Sequence, residues 1–520
     1  MEAFSIRDFG ATGNGESLDT GAIQAAVNGC AGKGGGTVLV PPGVYLTGGI
    51  VLKDNVTLHI AAGATLLGST DLEQYHDSME SLICAHRARN VRIEGGGTID
   101  GQGAKFDIPD EFLPLGAWGG RPRLVFFREC QEVQVVDVTL KDSSFWAAHF
   151  LACRGLKVRG LTIDSYVRLN NDGIDIDSCE DVLVSDCVIS CGDDAIALKN
   201  GIRRPCRNVA VTNCIVSTRW AAFRIGPESC GGFENIAISN CVVRRAHGCG
   251  VKLQMWEGSF MRNIAISNLV MDDVTGPICI RLSGWERGRR NWDDMPEWSE
   301  RGRSQPFGEI RNVMISHIEA RVPEVPAIEQ DNPKRTVAMQ PGEVRSCISV
   351  CGSPGHLIKG ITLSDIHVVF PGGGTREEAA RRDVPDVAYD YPHPEYYQFG
   401  VLPAYGCYVR HARGVRLNGL RFETEKADLR PAVVCNDVEE AEILHLSATG
   451  HVGAESLLRL RNTRRVSIHG CLPIGRMGTF LTVEGSGSQD ITLSGNDLRT
   501  VISPVRTGWG ADEGCVRLLG

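Results

Sequence analysis

Three aspartates carry the chemistry available to this chain. Asp172 sits in Asn171-Asp172-Gly173, while Asp193 and Asp194 lie side by side after Gly192. Each site opens a short alternating stretch, Asn171-Asp-Gly-Ile-Asp-Ile-Asp177 and Asp193-Asp-Ala-Ile-Ala-Leu-Lys199. Two later stretches, Trp220-Ala-Ala-Phe-Arg-Ile-Gly226 and Gly248-Cys-Gly-Val-Lys-Leu-Gln254, share the pattern. If the apolar alternates Ile174/Ile176, Ile196/Leu198, Phe223/Ile225 and Val251/Leu253 face a core, strand periodicity sends the residues between them outward. Asp175, Ala197, Arg224 and Lys252 then form one outward column, and Asp177, Lys199, Gly226 and Gln254 a second. Asp172 and Asp194 occupy equivalent strand entrances, about 4.8 Å apart in neighbouring strands, with Asp193 beside them. Carboxyls this close raise one another's pKa, which supplies a protonated acid and an ionised base in one place. Hydrolysis of a glycosidic bond needs that pairing.

The rest of the chain supplies elements that can stack these stretches in register. A polar residue followed by alternating Val/Ile returns along its length, as EDVLVSDC from Glu180, RNVAVTNC from Arg207, ENIAISNC from Glu234 and RNIAISNL from Arg262. Leu156, Val182, Val209, Ile236 and Ile264 mark successive copies at intervals of 26, 27, 27 and 28 residues. Period-2 strands returning at this interval between Gly/Asn/Asp turns predict an all-β chain, a right-handed parallel β-helix, in which stacking buries an inner face that no coil buries alone. Cys187, Cys214 and Cys241 recur one coil apart and are expected to stack as small apolar residues inside. Asn208, Asn235 and Asn263 recur at a turn as an amide ladder, and Asp164 and Asp186 read as turn residues.

The ends differ. Asp19 precedes a helical pattern, Ala22, Ile23, Ala26 and Val27, that would plug the open N-terminal end of the stack. Gly34 to Tyr45 reads as turn, strand, turn, strand. A single β-helix domain over 1–520 follows: 1–70 as cap and first strands, 71–283 as regular coils with the active face, 284–410 as coils with long insertions, and 411–520 as C-terminal coils and cap. The insertions, roughly 284–310, 320–346 and 371–406, carry Trp285, Trp292, Trp298, Tyr391, Tyr396, Tyr397 and Tyr405, and are expected to wall a binding cleft.

Composition narrows the function. The chain has 520 residues, 42% hydrophobic and 22% charged, with a formal net charge of −9. A net acidic chain is a poor general nucleic-acid binder, and no segment reads as membrane-spanning. The expected partner is therefore an oligo- or polysaccharide, with no nucleic acid and no membrane. No cofactor is expected; no CxxC pair or companion histidine accompanies the thiols, so none is read as a metal ligand. Nineteen cysteines and a start, Met1 to Gly10, without a basic or apolar leader lead to the expectation of a cytoplasmic protein, or of a secreted or periplasmic one if a leader was removed.

Asn171-Asp172-Gly173, Gly192-Asp193-Asp194 and Ser144-Phe-Trp-Ala-Ala-His149 together resemble glycoside hydrolase family 28, the polygalacturonases and their exo-acting bacterial relatives. Asp8-Phe-Gly-Ala-Thr-Gly-Asn-Gly15 and Ile225-Gly-Pro-Glu-Ser229 fit the same group, and the resemblance runs from residue 4 to about 275, with Leu402-Pro-Ala-Tyr-Gly406 as a looser match. It implies an inverting hydrolase of pectin-type oligosaccharides, galacturonide or rhamnogalacturonan-derived, with Asp193 as general acid and Asp172 and Asp194 activating the water. Lys252, Arg224, Lys199, Asn171, Trp220, Gln254, His149 and His247 are the expected substrate contacts.

The chain departs from the family in two places. Trp220-Ala221-Ala222 stands where the family has Gly-His-Gly, so its histidine is missing and His247 lies one coil later. Lys252-Leu253-Gln254 stands for Arg-Ile-Lys, which loses one cation, and Arg224 adds one a coil earlier that could take over the grip on a substrate carboxylate. A neutral or deoxy sugar is the nearest competing substrate. A lyase holding Ca²⁺ through Asp172, Asp175, Asp177 and Asp194, or a non-catalytic glycan-binding β-helix, are the competing classes. Large late loops that block one end of the cleft suit exo action.

Overall fold

A computed structural model describes residues 3–106, 121–284, 307–326, 342–386, 396 and 399–519. Its 41 strands join in one continuous network of parallel pairs. A coil is three short strands and three corners. Ile174–Asp177, Glu180–Ser185 and Val188–Cys191 make one coil. Ile196–Asn200, Cys206–Thr212 and Ile215–Thr218 make the next, each strand paired in parallel with its counterpart. This is the right-handed parallel β-helix that the repeat predicts.

The alternation does the work. Val182, Val184, Val209, Val211, Ile236 and Ile238 are buried in one core that runs the length of the stack, while Leu183 between them is exposed. Cys187, Cys214 and Cys241 lie in that core, and the Cys214 N–H donates to Cys241 Sγ at 3.4 Å. Asn208, Asn235 and Asn263 hold left-handed φ values of 56°, 56° and 57°. Asn tolerates this conformation better than other L-residues because its short amide bonds locally. Here it also bonds along the stack: Asn235 Nδ2 donates to Asn208 Oδ1, and Asn263 Nδ2 to Asn235 Oδ1, both at 3.2 Å.

The N-terminal helix spans Thr20–Gly32 and buries Ile23, Ala26, Val27 and Cys30 against the first strands. Asp19 holds the N-cap position without capping the helix. Its carboxylate instead ties the preceding turn, accepting from Thr12 N–H at 2.7 Å and Gly13 N–H at 3.0 Å. Gly36–Val40 and Gly43–Thr47 are the two expected strands.

Of the insertion aromatics, Trp285, Trp292, Trp298, Tyr391 and Tyr397 lie outside the described residues. Tyr405 belongs to the core and not to a cleft wall: it is buried, and its hydroxyl donates to the Thr449 carbonyl at 2.7 Å. The part of the third insertion that is described crosses the outward face of the late coils as a strap. It contains a short helix, Arg376–Ala380, closed by a capping box between Thr375 and Glu378. Arginines on the coils beneath hold its carbonyls: Arg410 donates to Val384 O at 2.9 Å, Arg459 to Ala379 O at 2.6 Å and Arg461 to Arg382 O at 3.1 Å.

The asparagine ladder gives a stability prediction. Asn235→Ala should lower stability by roughly 1–2 kcal/mol, since it keeps the left-handed backbone and loses both amide bonds. Asn235→Gly, which relieves the backbone cost, should lose less. Chemical denaturation midpoints of the two variants test the order.

Candidate active site

The outward column forms as the alternation predicts. Asp175 pairs with Ala197, Ala197 with Arg224 and Arg224 with Lys252, and the column extends back through His149 to Phe126. At the corner before these strands the coils are locked by backbone bonds: Ala147 N–H to Asp172 O, Gly173 N–H to Asp194 O and Ala195 N–H to Ala221 O, each at 2.9 Å. Gly173 is required there, because a Cβ would meet the Ala195 carbonyl oxygen at 2.4 Å. The close approach sets Asp172 over the Asp193-Asp194 pair. One carboxylate oxygen from each of Asp172, Asp193 and Asp194 lies within 4.8 Å of the others.

The three differ in their partners. Asp172 is buried, and its Oδ2 lies 2.8 Å from Lys199 Nζ. Asp194 is buried, with Oδ2 3.0 Å from an Arg224 guanidinium nitrogen and Oδ1 accepting from Ala221 N–H at 3.2 Å. Asp193 is only partly buried, and its Oδ1 accepts from the Asp194 N–H at 2.9 Å. Burial, then repulsion from Asp172 and Asp194, pushes the Asp193 carboxyl well above the ordinary carboxylate range. Burial also raises Asp194, but the Arg224 guanidinium opposes that shift.

Lys199 binds differently from its register. It pairs with Asp177 along the ladder, yet its ammonium reaches back to Asp172 and to Asp175 Oδ1, both at 2.8 Å. The flexible four-carbon stem permits this, and the Trp146 ring supports the ammonium from 3.6 Å. Burial alone would lower the Lys199 pKa; Asp172 and Asp175 outweigh it and hold the group charged. Asp175, a member of the outward column, and Trp146, which lies off it, are therefore parts of the site whose shared cation the spacing does not show.

The second outward column breaks after Lys199. Leu198 pairs with Ile225 but Asn200 with Ser229, so residues 226–228 bulge out of the ladder. Gly226 sits at φ 91° with its peptide to Pro227 cis, and a Cβ on it would meet the Gln254 carbonyl oxygen at 1.9 Å. The bulge carries Glu228, which sequence reasoning passed over.

The remaining candidates divide. Lys252 and Gln254 are fully buried on the face that carries the acid cluster. Arg224 donates inside the protein, from Nη1 to Asp194 Oδ2 and from Nε to the Gly226 carbonyl, both at 3.0 Å. Asn171 is also spent internally: its Nδ2 donates to Ser143 O, Phe145 O and Ser165 Oγ, and its Oδ1 accepts from Val167 N–H. It shapes the corner from a fully buried position. His247 is fully buried with Nε2 3.2 Å from Asp273 Oδ1, closed off from a cleft. The Trp220 ring lies under the Arg219 guanidinium at 5.6 Å, buried and not open to stack on a sugar. His149 stacks on Phe126 at 4.7 Å, with Nε2 3.7 Å from Asp177 Oδ2.

A Ca²⁺ site built from Asp172, Asp175, Asp177 and Asp194 does not fit this arrangement. Lys199 and Arg224 already hold three of the four, and Asp177 Oδ1 accepts from Ser178 Oγ at 2.8 Å and Gly201 N–H at 2.6 Å. A cation there would have to displace two buried basic side chains.

The family model of the glycosyl hydrolases family 28 matches residues 30–287. A probable polygalacturonase of Vitis vinifera is 34% identical over 228 residues, 38% of this chain and 44% of the relative. An exo-poly-alpha-D-galacturonosidase of Dickeya chrysanthemi is 26% identical over 257 residues, 39% of this chain and 42% of the relative. The chain thus spans under half the length of either relative. Among solved structures, the family 28 exopolygalacturonase of Yersinia enterocolitica superposes with a TM-score of 0.62 at 18% identity, over 85% of this chain and 78% of that one. The exopolygalacturonase of Thermotoga maritima gives 0.56 at 22%, over 71% and 87%. At these identities the two structures share the coil architecture.

His149 offers a test of how dry this face is. Burial pulls its pKa from the ordinary 6.5 to about 4. The unfolded chain therefore takes up a proton near pH 6.5 that the folded protein refuses until about pH 4, so stability present above pH 6.5 is lost as pH falls through this window. The loss is on the order of 2–3 kcal/mol. His149→Gln should flatten the slope by close to one proton, read from denaturation midpoints between pH 4 and 7.

Proposed function

We propose that the chain, whose residues 30–287 match the model of glycosyl hydrolases family 28, is an inverting glycoside hydrolase acting on pectin-type oligosaccharides. The observation that carries this reading is the unequal treatment of three adjacent carboxyls. Asp172 and Asp194 are each paired with a buried cation, whereas Asp193 is partly exposed and pushed toward its protonated form. Asp193 is the general acid: it protonates the glycosidic oxygen as the bond to the anomeric carbon breaks. Asp172 and Asp194 hold the attacking water on the opposite face and take its proton. One oxygen of each carboxyl lies within 4.8 Å of the others, short of the roughly 6.5–9.5 Å usual for an inverting acid–base pair, so the roles of Asp172 and Asp194 rest on the family resemblance and not on this spacing. No covalent intermediate forms.

Arg224 and Lys199 are positioning residues in this scheme. They hold Asp194 and Asp172 in place without reaching the sugar. The absent histidine is accommodated, because Arg224 occupies the same coil and supplies a permanent charge beside the base. Lys252, on the next coil of the same column, is the cation that would meet an anionic glycan. Exo action is supported by the strap at 374–386, which occupies the outward face beyond the site and would block a chain from running through. Trigalacturonate and longer pectic fragments would then lose one end unit at a time.

Digestion of pectic oligosaccharides followed by ¹H NMR tests the reading. Saturated products should appear first as the inverted anomer, released as single end units, and Asp193→Asn should lower kcat by on the order of 10²–10⁴. Unsaturated or retained-anomer products would overturn it. The pH profile adds a second test. The alkaline limb should lie above the ordinary carboxylate range because Asp193 must be protonated. Arg224→Met should move the acid limb to higher pH, since Asp194 loses the cation that opposes its raised pKa.

A further inference from the structure

Asp172 and Asp194 are held in place by ion pairs, whereas the Asp193 carboxyl bonds to the adjacent Asp194 N–H. The hold on Asp193 comes through its backbone, from the next coil. Ser165, Cys191, Thr218 and Ala246 share one rung of the stack. On its strand, Ile215–Thr218, Thr218 stands two residues after the core residue Val216, so alternation turns its side chain inward, where it is buried. A buried hydroxyl needs partners. Thr218 Oγ1 accepts the Trp220 N–H at 3.0 Å, which leaves its own proton for the Asp193 carbonyl, to which it donates. Cys191 Sγ, a weaker donor, reaches the same carbonyl at 3.2 Å. Three residues on, the Ala221 N–H holds Asp194 Oδ1 at 3.2 Å. One short turn, 218–221, therefore grips Asp193 by its backbone and Asp194 by its side chain. The turn is anchored in its turn by the fully buried Arg219, whose Nη1 donates to His247 O at 2.7 Å and lies 3.7 Å from Glu343 Oε1.

We propose that Thr218 is a positioning residue for Asp193: its hydroxyl fixes the Asp193 peptide so that the carboxyl stays against Asp172 and Asp194. This deepens the hydrolase reading and rests on it for what Asp193 does, though not for where Asp193 is held. Without the hydroxyl, the Asp193 carbonyl keeps the weaker thiol donor and the Trp220 N–H loses its acceptor, both inside the protein. The corner then relaxes in the direction the charges favour, carrying the carboxyl away from its neighbours and toward water. Burial first, and then Asp172 and Asp194, keep the Asp193 carboxyl raised, while Lys199 and Arg224 act against them. Those two cations are tied to Asp172, Asp175 and Asp194 and do not follow. A relaxed Asp193 is therefore a stronger acid, ionised at lower pH, and it stands farther from the oxygen it has to protonate.

Thr218→Val removes the hydroxyl at constant shape, and Thr218→Ser keeps it. Turnover of pectic oligosaccharides by the valine variant should fall about tenfold in kcat with KM unchanged. Its alkaline limb should move to lower pH, and the serine variant should recover most of both. A hydroxyl that merely stabilises the fold would lower the denaturation midpoint and leave the limb of the folded enzyme in place. That result overturns the positioning role, as does a serine variant that behaves like valine. Thr218→Cys, a weaker donor of similar size, should fall between the two and carries the test if the valine variant does not fold. Titration of the Asp193 carboxyl in the free protein by ¹³C NMR, with its signal assigned by loss in Asp193→Asn, needs no turnover. The midpoint should drop in Thr218→Val, and an unchanged midpoint sinks the proposal whatever the activity. Absence of turnover in the unmodified protein counts against the hydrolase reading alone.

Discussion

The backbone bond from Gly173 N–H to the Asp194 carbonyl, with its neighbours from Ala147 to Asp172 and from Ala195 to Ala221, holds three coil corners at one height. Everything chemical follows from that alignment. Side chains on neighbouring coils are more than twenty residues apart in sequence, and only parallel in-register pairing brings Asp172 onto Asp193 and Asp194. A slip of one residue would turn every outward side chain inward. The register is protected by the inner alternation of Val and Ile, by the asparagine corners, and by the thiols stacked between them.

That alignment creates an electrostatic problem. Asp172, Asp175 and Asp194 are taken almost wholly out of water, where an uncompensated carboxylate is expensive. The chain answers with Lys199 between two of them and Arg224 on the third. Both cations are themselves buried, so each exists there only because of the carboxylates it meets. The arrangement leaves one carboxyl, Asp193, without such a partner and nearest to solvent. The same pairs that stabilise the face thus leave three adjacent carboxyls in unequal surroundings.

The departures from the family pattern take on meaning in this light. Arg224 looks from its column position like a hand for a substrate carboxylate, and becomes instead the counter-charge of Asp194. The Gly226 bulge then removes a side chain from the column, with the Gln254 carbonyl oxygen packed where a Cβ would stand. Charge that the chain spends inside is not available to an acidic glycan. The polarity of the cleft is therefore set by the internal pairing and not by the number of basic residues on the face.

The coil repeat, the inward alternation, the asparagine and cysteine ladders and the identity of the three catalytic candidates were legible in the sequence, because each depends on periods of two residues or of about 27. The first outward column was legible for the same reason. Where side chains reach off their own rung, the sequence was silent. Lys199 shares a rung with Asp177 but binds Asp172 and Asp175 through its long stem, Trp146 supports it from another corner, and Asn171 turns inward to satisfy backbone carbonyls. The break after Lys199 was also invisible, since a two-residue bulge leaves the apolar alternation intact on both sides. Periodicity is a property of the chain and can be read along it. Which donor meets which acceptor across the coils is decided by side-chain reach, burial and competition for partners, and those exist only once the stack has formed.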